Sequence, residues 1–232
     1  MQGGEGRRLG LAVGLWLILG AAPAILLLAG LRLWAAAWST GHLPVLVAAL
    51  TWDFYLALLA GLYLAYGGYR GVTQILGFRW TKVSDLAVAW AAWLVTIVIG
   101  GLLTSVTEKV TGPPTSNVAP LVETSFSPWF VAAMVPVVVL VGPAAEELAF
   151  RGAIFGWLRT RFPLAFAVAG SAAVFAVAHL IPALIPLFFV FGVSAALVYQ
   201  ATGSTFNSFV MHATQNAVAL AVTYLSLGRG LG

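Results

Sequence analysis

Glu146 and Glu147 stand side by side inside an otherwise apolar run, and Arg151 follows four residues after the second. An ionisable side chain within a membrane span costs several kcal/mol unless it is paired or serves a function, so three together mark a site. On a helix Glu147 and Arg151 share a face and can pair, while Glu146 is rotated by about 100° from Glu147 and is free to point elsewhere. One carboxylate can then be structural and the other chemical; the plainer alternative is an internal salt bridge that only fixes helix packing. Downstream, His179 closes the run Phe175-Ala176-Val177-Ala178-His179, and His212 and Asn216 are four apart on one helical face. Each histidine alone reads as an interhelical hydrogen-bonding residue. Gathered in one apolar environment, the set suits hydrolysis: Glu146 beside His179 takes a proton from water, and His212 with Asn216 donates to a developing oxyanion.

The elements that must position these residues are membrane helices. Of 232 residues, 61% are hydrophobic and 8% charged, and the mean hydropathy is +1.00. The apolar runs are of spanning length and lack strand-like alternation, which predicts an all-α polytopic transmembrane helical bundle rather than a barrel. A net charge of +4 does not indicate a nucleic-acid partner, because the basic residues are spread between apolar segments and form no patch. Cysteine is absent, which excludes disulfides, thiolate metal sites and a cysteine nucleophile.

In chain order, the first span runs from Leu9 to about Gly30. It contains Ala22-Pro23-Ala24, which looks like a signal-peptidase site, but the run continues through Ile25-Leu26-Leu27-Leu28 and is read as a retained helix. Leu31 to His42, with Arg32, Trp34 and Trp38, reads as a headgroup-level connector. The second span, Pro44 to Tyr66, includes Asp53, read as satisfying a neighbouring helix or water pocket. The third runs from Asp85 to about Val106. Thr107 to Ser127, with Pro113-Pro114, reads as a long non-helical boundary between front spans, 1–127, and a motif-bearing part, 128–232, of one integral membrane domain. A fourth span is expected to break at Gly142-Pro143 and restart, which would put Glu146 and Glu147 near a helix N-terminus with free N–H groups. Further spans follow at Leu164 to Leu180, Pro186 to Gln200 and Phe206 to Leu227, for seven or eight in all.

Placing the N-terminus on the cytoplasmic side assigns Arg7, Arg8, Arg70, Arg79, Lys82, Arg151, Arg159 and Arg161 to that side, against Arg32, Lys109 and Arg229. The helices on either side of Arg161-Phe162-Pro163 should form a hairpin. Glu146 and His179 are each about 16 or 17 positions from its turn, at similar depth. His212 lies about nine positions, roughly 14 Å, from the turn at Gly203.

The spacing Glu146-Glu147-x-x-x-Arg151, Phe175-x-x-x-His179 and His212-x-x-x-Asn216 resembles that of the CPBP family, the CAAX-protease and bacteriocin-processing (Abi) intramembrane glutamic endopeptidases, and among them the Rce type. The neighbours Ala178-His179-Leu180 and Ala201-Thr202-Gly203-Ser204 fit as well, and Phe188 or Phe189 with Gly192 matches a weaker element. The likeness covers about Gly142 to Ala217 without departure from the three motifs. It implies a cytoplasm-facing cavity in which Glu146 activates water with His179, His212 and Asn216 form the oxyanion hole, and Glu147 and Arg151 order the site. It also implies metal-free hydrolysis. Zinc is the competitor, but the His-Glu-x-x-His spacing is absent and the adjacent carboxylates point to different faces. The expected activity is endopeptidase cleavage near the C-terminus of a lipidated or membrane-associated peptide, within the bilayer, in a prokaryotic cell membrane. The competing class is a non-enzymatic immunity factor, transporter or scaffold using the same residues as a structural network. Gly10-x-x-x-Gly14 and Gly152-x-x-x-Gly156 can pack helices within or between chains and leave the oligomeric state open.

Overall fold

The computed structural model describes residues 2–25, 43–112 and 128–230, and the expected headgroup-level connector and most of the long boundary loop lie outside them. Among the described residues the chain is helical, with no strand. Helix α1 covers Gln2–Trp16 and continues into a π-helical stretch, Leu17–Ala21. Helix α2 is Leu43–Tyr66 and α3 is Val83–Thr111, the latter extending five residues beyond the expected end at Val106. Helix α4 runs in phases: Pro128–Pro136, π-helical Val137–Val141, Gly142–Glu147, π-helical Leu148–Phe155 and Gly156–Arg159. Then come α5, Leu164–Ala178; a 3-10 turn, Pro182–Leu184; α6, Ile185–Thr202; and α7, Thr205–Gly230.

Among the described residues five helices are long and apolar enough to cross a bilayer: Gly4–Ile25, Pro44–Tyr66, Val83–Lys109, Trp129–Arg159 and Pro182–Thr202. This is an integral membrane protein built as an all-α bundle. The larger number counted in the sequence includes α5, which is apolar but short, and α7, whose Asn207, Ser208, His212, Gln215 and Asn216 lower its hydropathy.

The expected break at Gly142-Pro143 does not occur. Val141 and Gly142 both hold right-handed helical angles, so α4 is one rod and the carboxylates do not sit at a free N-terminus. The π turn explains how the prolines fit. Gly142 N–H donates to the Val137 carbonyl five residues back, and the wider ring absorbs the lost i to i−4 bonds of the proline.

Small residues bring the helices together. A Cβ built on Gly192 of α6 would lie 2.8 Å from the Ala172 Cα of α5, and one on Gly152 of α4 would lie 2.9 Å from the Leu76 carbonyl oxygen. Backbone thus meets backbone at both places. Gly10 and Gly14 meet nothing within 4 Å among the described residues, so their spacing does no packing there.

The turns at Gly77, Arg161 and Gly203 gather at one end of the bundle. Thr205 N–H donates to the Gly77 carbonyl, Asn207 Nδ2 to Thr81 Oγ1 and Arg159 Nε to Gln200 Oε1. Gly6 of α1 lies against Trp157 at the same end. Arg151, counted with these basic residues in the sequence, is instead fully buried and carries no topological signal.

Candidate active site

Helix α5, with its 15 residues, is about 22 Å long and falls short of a bilayer core of about 30 Å. It stops at His179. Leu180 then adopts φ 55°, in the left-handed region that a bulky residue rarely enters, and Ile181 is extended. Irregular backbone at membrane depth is tolerated where it is covered by protein or lines a wet cavity. The hairpin register anticipated from the sequence holds: Ser171 Oγ donates to the Phe150 carbonyl at 3.0 Å, and Glu146 and His179 meet one step deeper.

The two carboxylates have separate surroundings. Glu147 is completely buried; its Oε1 lies 3.1 Å from Arg151 Nη1 and accepts a hydrogen bond from His212 Nδ1 at 2.9 Å. Arg151, equally buried, places its guanidinium 4.4 Å from the centre of the Phe175 ring and reaches the Gly192 carbonyl through Nη2 at 3.5 Å. Desolvating two ions costs several kcal/mol each, and here the pair, the histidine and the cation–π contact offset it.

Glu146 faces the other way. Its Oε1 accepts a 2.6 Å hydrogen bond from the hydroxyl of Tyr55 on α2. Its Oε2 is buried without a hydrogen-bond partner among the described residues, 4.0 Å from His179 Nε2 and 3.8 Å from His212 Nε2.

Hydrogen placement follows from what each partner can do. His179 Nδ1 is 2.8 Å from the Phe175 carbonyl, which only accepts, so that nitrogen carries the hydrogen. His212 Nδ1 faces a carboxylate already paired with arginine, so it too donates. In the neutral state both Nε2 atoms are therefore bare and point, with Glu146 Oε2, at a common space. Glu146 Oε2 is about 4 Å from each of the two nitrogens, where acceptors repel unless a donor stands between them, and a water molecule has two O–H groups to offer.

Aromatic rings fix the imidazoles. Phe188 stacks on His179 with centroids 4.0 Å apart, which makes it, of the two phenylalanines considered in the sequence, the one in contact; Phe191 tilts against His212 at 4.8 Å. Asn216 is engaged elsewhere. Its Nδ2 donates to the Val138 carbonyl at 2.9 Å. In the π register that carbonyl would be served by residue 143, a proline with no N–H, so the asparagine side chain supplies the missing donor. One amide hydrogen is used there and a second remains.

The fold thus brings Glu146, Glu147, Arg151, His179 and His212 together, with Asn216 one turn along α7 from His212. Sequence reasoning missed Tyr55 and Phe191, because nothing in their spacing ties them to the motifs. Asp53, read in the sequence as satisfying a neighbouring helix or a water pocket, makes no hydrogen bond or ion pair with the described residues. Among the described residues no group of three histidine, aspartate or glutamate side chains is arranged to hold a metal ion.

Residues 128–218 match the model of the Rce1-like family, described as type II CAAX prenyl endopeptidase, consistent with the CPBP resemblance drawn from the three motifs. No curated protein and no solved structure matches the chain. The family match implies a hydrolase, a protease of the CAAX type working in the membrane.

Proposed function

We propose, from a segment matching the type II CAAX prenyl endopeptidases, that this chain hydrolyses a peptide bond near the C-terminus of a prenylated or otherwise membrane-bound peptide, with Glu146 as base. The observation that carries the reading is Glu146 Oε2, without a hydrogen-bond partner among the described residues and 4.0 and 3.8 Å from the Nε2 atoms of His179 and His212. A water held there gives a proton to Oε2 as its oxygen adds to the scissile carbonyl carbon. The C–N bond then breaks as that proton passes to the leaving nitrogen, giving an amine and a carboxylic acid that carries water's second proton. His179 orients the water. His212 can donate to the oxyanion from Nε2 only as an imidazolium, since its Nδ1 hydrogen goes to Glu147. Glu147 supports it by accepting that hydrogen, Arg151 holds Glu147 in place, and the second amide hydrogen of Asn216 is the other donor.

An apolar groove of about 440 Å³, lined by Leu59, Tyr63 and Leu64 of α2, by Val72, and by Leu148 of α4, suits the lipid or apolar part of the substrate. The chemistry requires no metal in this reading, and the opening faces the cytoplasm of a prokaryotic cell membrane. Purified protein incubated with a fluorogenic farnesylated peptide should cleave it, with equal rate in the presence of a chelator. Glu146→Gln should lose at least about 100-fold in kcat while folding normally. Retained cleavage by that variant, or loss on chelation, would refute the mechanism.

A further inference from the structure

We infer that Tyr55 is a positioning residue for Glu146, which makes α2 part of the site although it lies outside the segment matched to the family. The inference extends the reading of Glu146 as base. A glutamate side chain has several rotamers and two equivalent oxygens, so a base that must face two imidazoles needs something to hold it. Tyr55 Oη does this at 2.6 Å, within the range for a hydroxyl donating to an ionised carboxylate. With Oε1 taken, Oε2 is the oxygen turned to His179 and His212.

The tyrosine is itself fixed. Its ring lies over Gly142, one turn before Glu146, where a Cβ would come within 3.1 Å of the ring's Cζ. Phe54 packs edge-on against it at 5.0 Å, and Trp52 Nε1 ties α2 to α4 by donating to the Ala133 carbonyl at 2.9 Å. The hydroxyl is therefore delivered by a ring with little freedom, over Gly142, which has no side chain to obstruct it.

The test is Tyr55→Phe, which removes one oxygen and keeps the ring. Infrared spectra of the full chain in detergent, with glutamate carboxyls isotope-labelled, assign the Glu146 carboxylate band by its loss in Glu146→Gln. The chain's seven acidic residues keep that region sparse. The Glu146 band should shift in Tyr55→Phe and stay put in Tyr69→Phe, whose ring is exposed on the far side of the Gly67-Gly68 turn. With farnesylated peptide, kcat should fall about 10- to 100-fold in Tyr55→Phe while KM changes less than about threefold and thermal unfolding is unmoved. An unshifted band, or kcat within about twofold of the parent, overturns the inference. A shifted band in a parent protein that cleaves no farnesylated peptide upholds the link between Tyr55 and Glu146 and overturns the protease reading instead.

Discussion

Glu147 and Arg151 have no solvent-exposed side-chain surface, and their pairing is what makes a charged dipeptide acceptable inside α4. Removing one member of such a pair strands the other, at a cost of about 3–5 kcal/mol. Arg151→Ala should therefore lower stability by that order, read by thermal unfolding in detergent, whereas replacing both ions together with leucine and methionine should recover much of it. If Arg151→Ala unfolds like the parent, the pair does not carry the role assigned to it. Leu180 offers a second test at this scale. Its left-handed backbone ends α5 beside His179 with the side chain exposed, so little packing depends on the leucine. Leu180→Gly should match or exceed the parent's stability by up to about 1 kcal/mol, and Leu180→Val should fall below it, since a β-branched residue resists positive φ. Both reverse if that φ is not kept.

Within α4, two π-helical stretches bracket the carboxylates, and π turns recur at functional sites because they re-aim the side chains that follow. The Pro143 ring removes the donor that the Val138 carbonyl would otherwise have, and Asn216 on α7 fills the vacancy. Sequence and packing are coupled here. Asn216→Ala should destabilise by about 1–3 kcal/mol by leaving the half-buried Val138 carbonyl bare, and clearly less in a Pro143→Ala background, where a backbone N–H returns. Additive losses in the double variant would show that proline and asparagine do not share that carbonyl. The same measurement separates the amide's structural role from catalysis, because any further loss of kcat in the double variant belongs to the oxyanion.

The whole molecule places its basic turns at one end and the site about 20 Å along α4 from Arg159, inside the membrane. The absence of native cysteine makes single labels clean. A cysteine at Gln200 should react with an impermeant maleimide only after the membrane is opened, and one at Glu108, at the far end of α3, should react in intact cells. The opposite pattern would invert the topology and the proposed cytoplasmic opening. Tyr55 of α2 meets Glu146, and Leu76 after it meets Gly152, so residues before 128 pack directly on α4.

The spacing of acid, arginine, histidines and amide was legible in the chain because a helix converts intervals of four into shared faces, and a hairpin converts equal distance from a turn into equal depth. Composition alone placed them in a membrane. The partners that come from non-adjacent helices were not legible: Tyr55 against Glu146, Phe191 against His212 and Val138 against Asn216 obey no interval, since which helix lies next to which is decided by packing. The continuity of α4 was hidden for a related reason. Gly142-Pro143 is a stop signal in local terms, and only a π turn stabilised by neighbouring helices carries the rod through it, fixing both where the carboxylates point and the absence of a helix end beneath them.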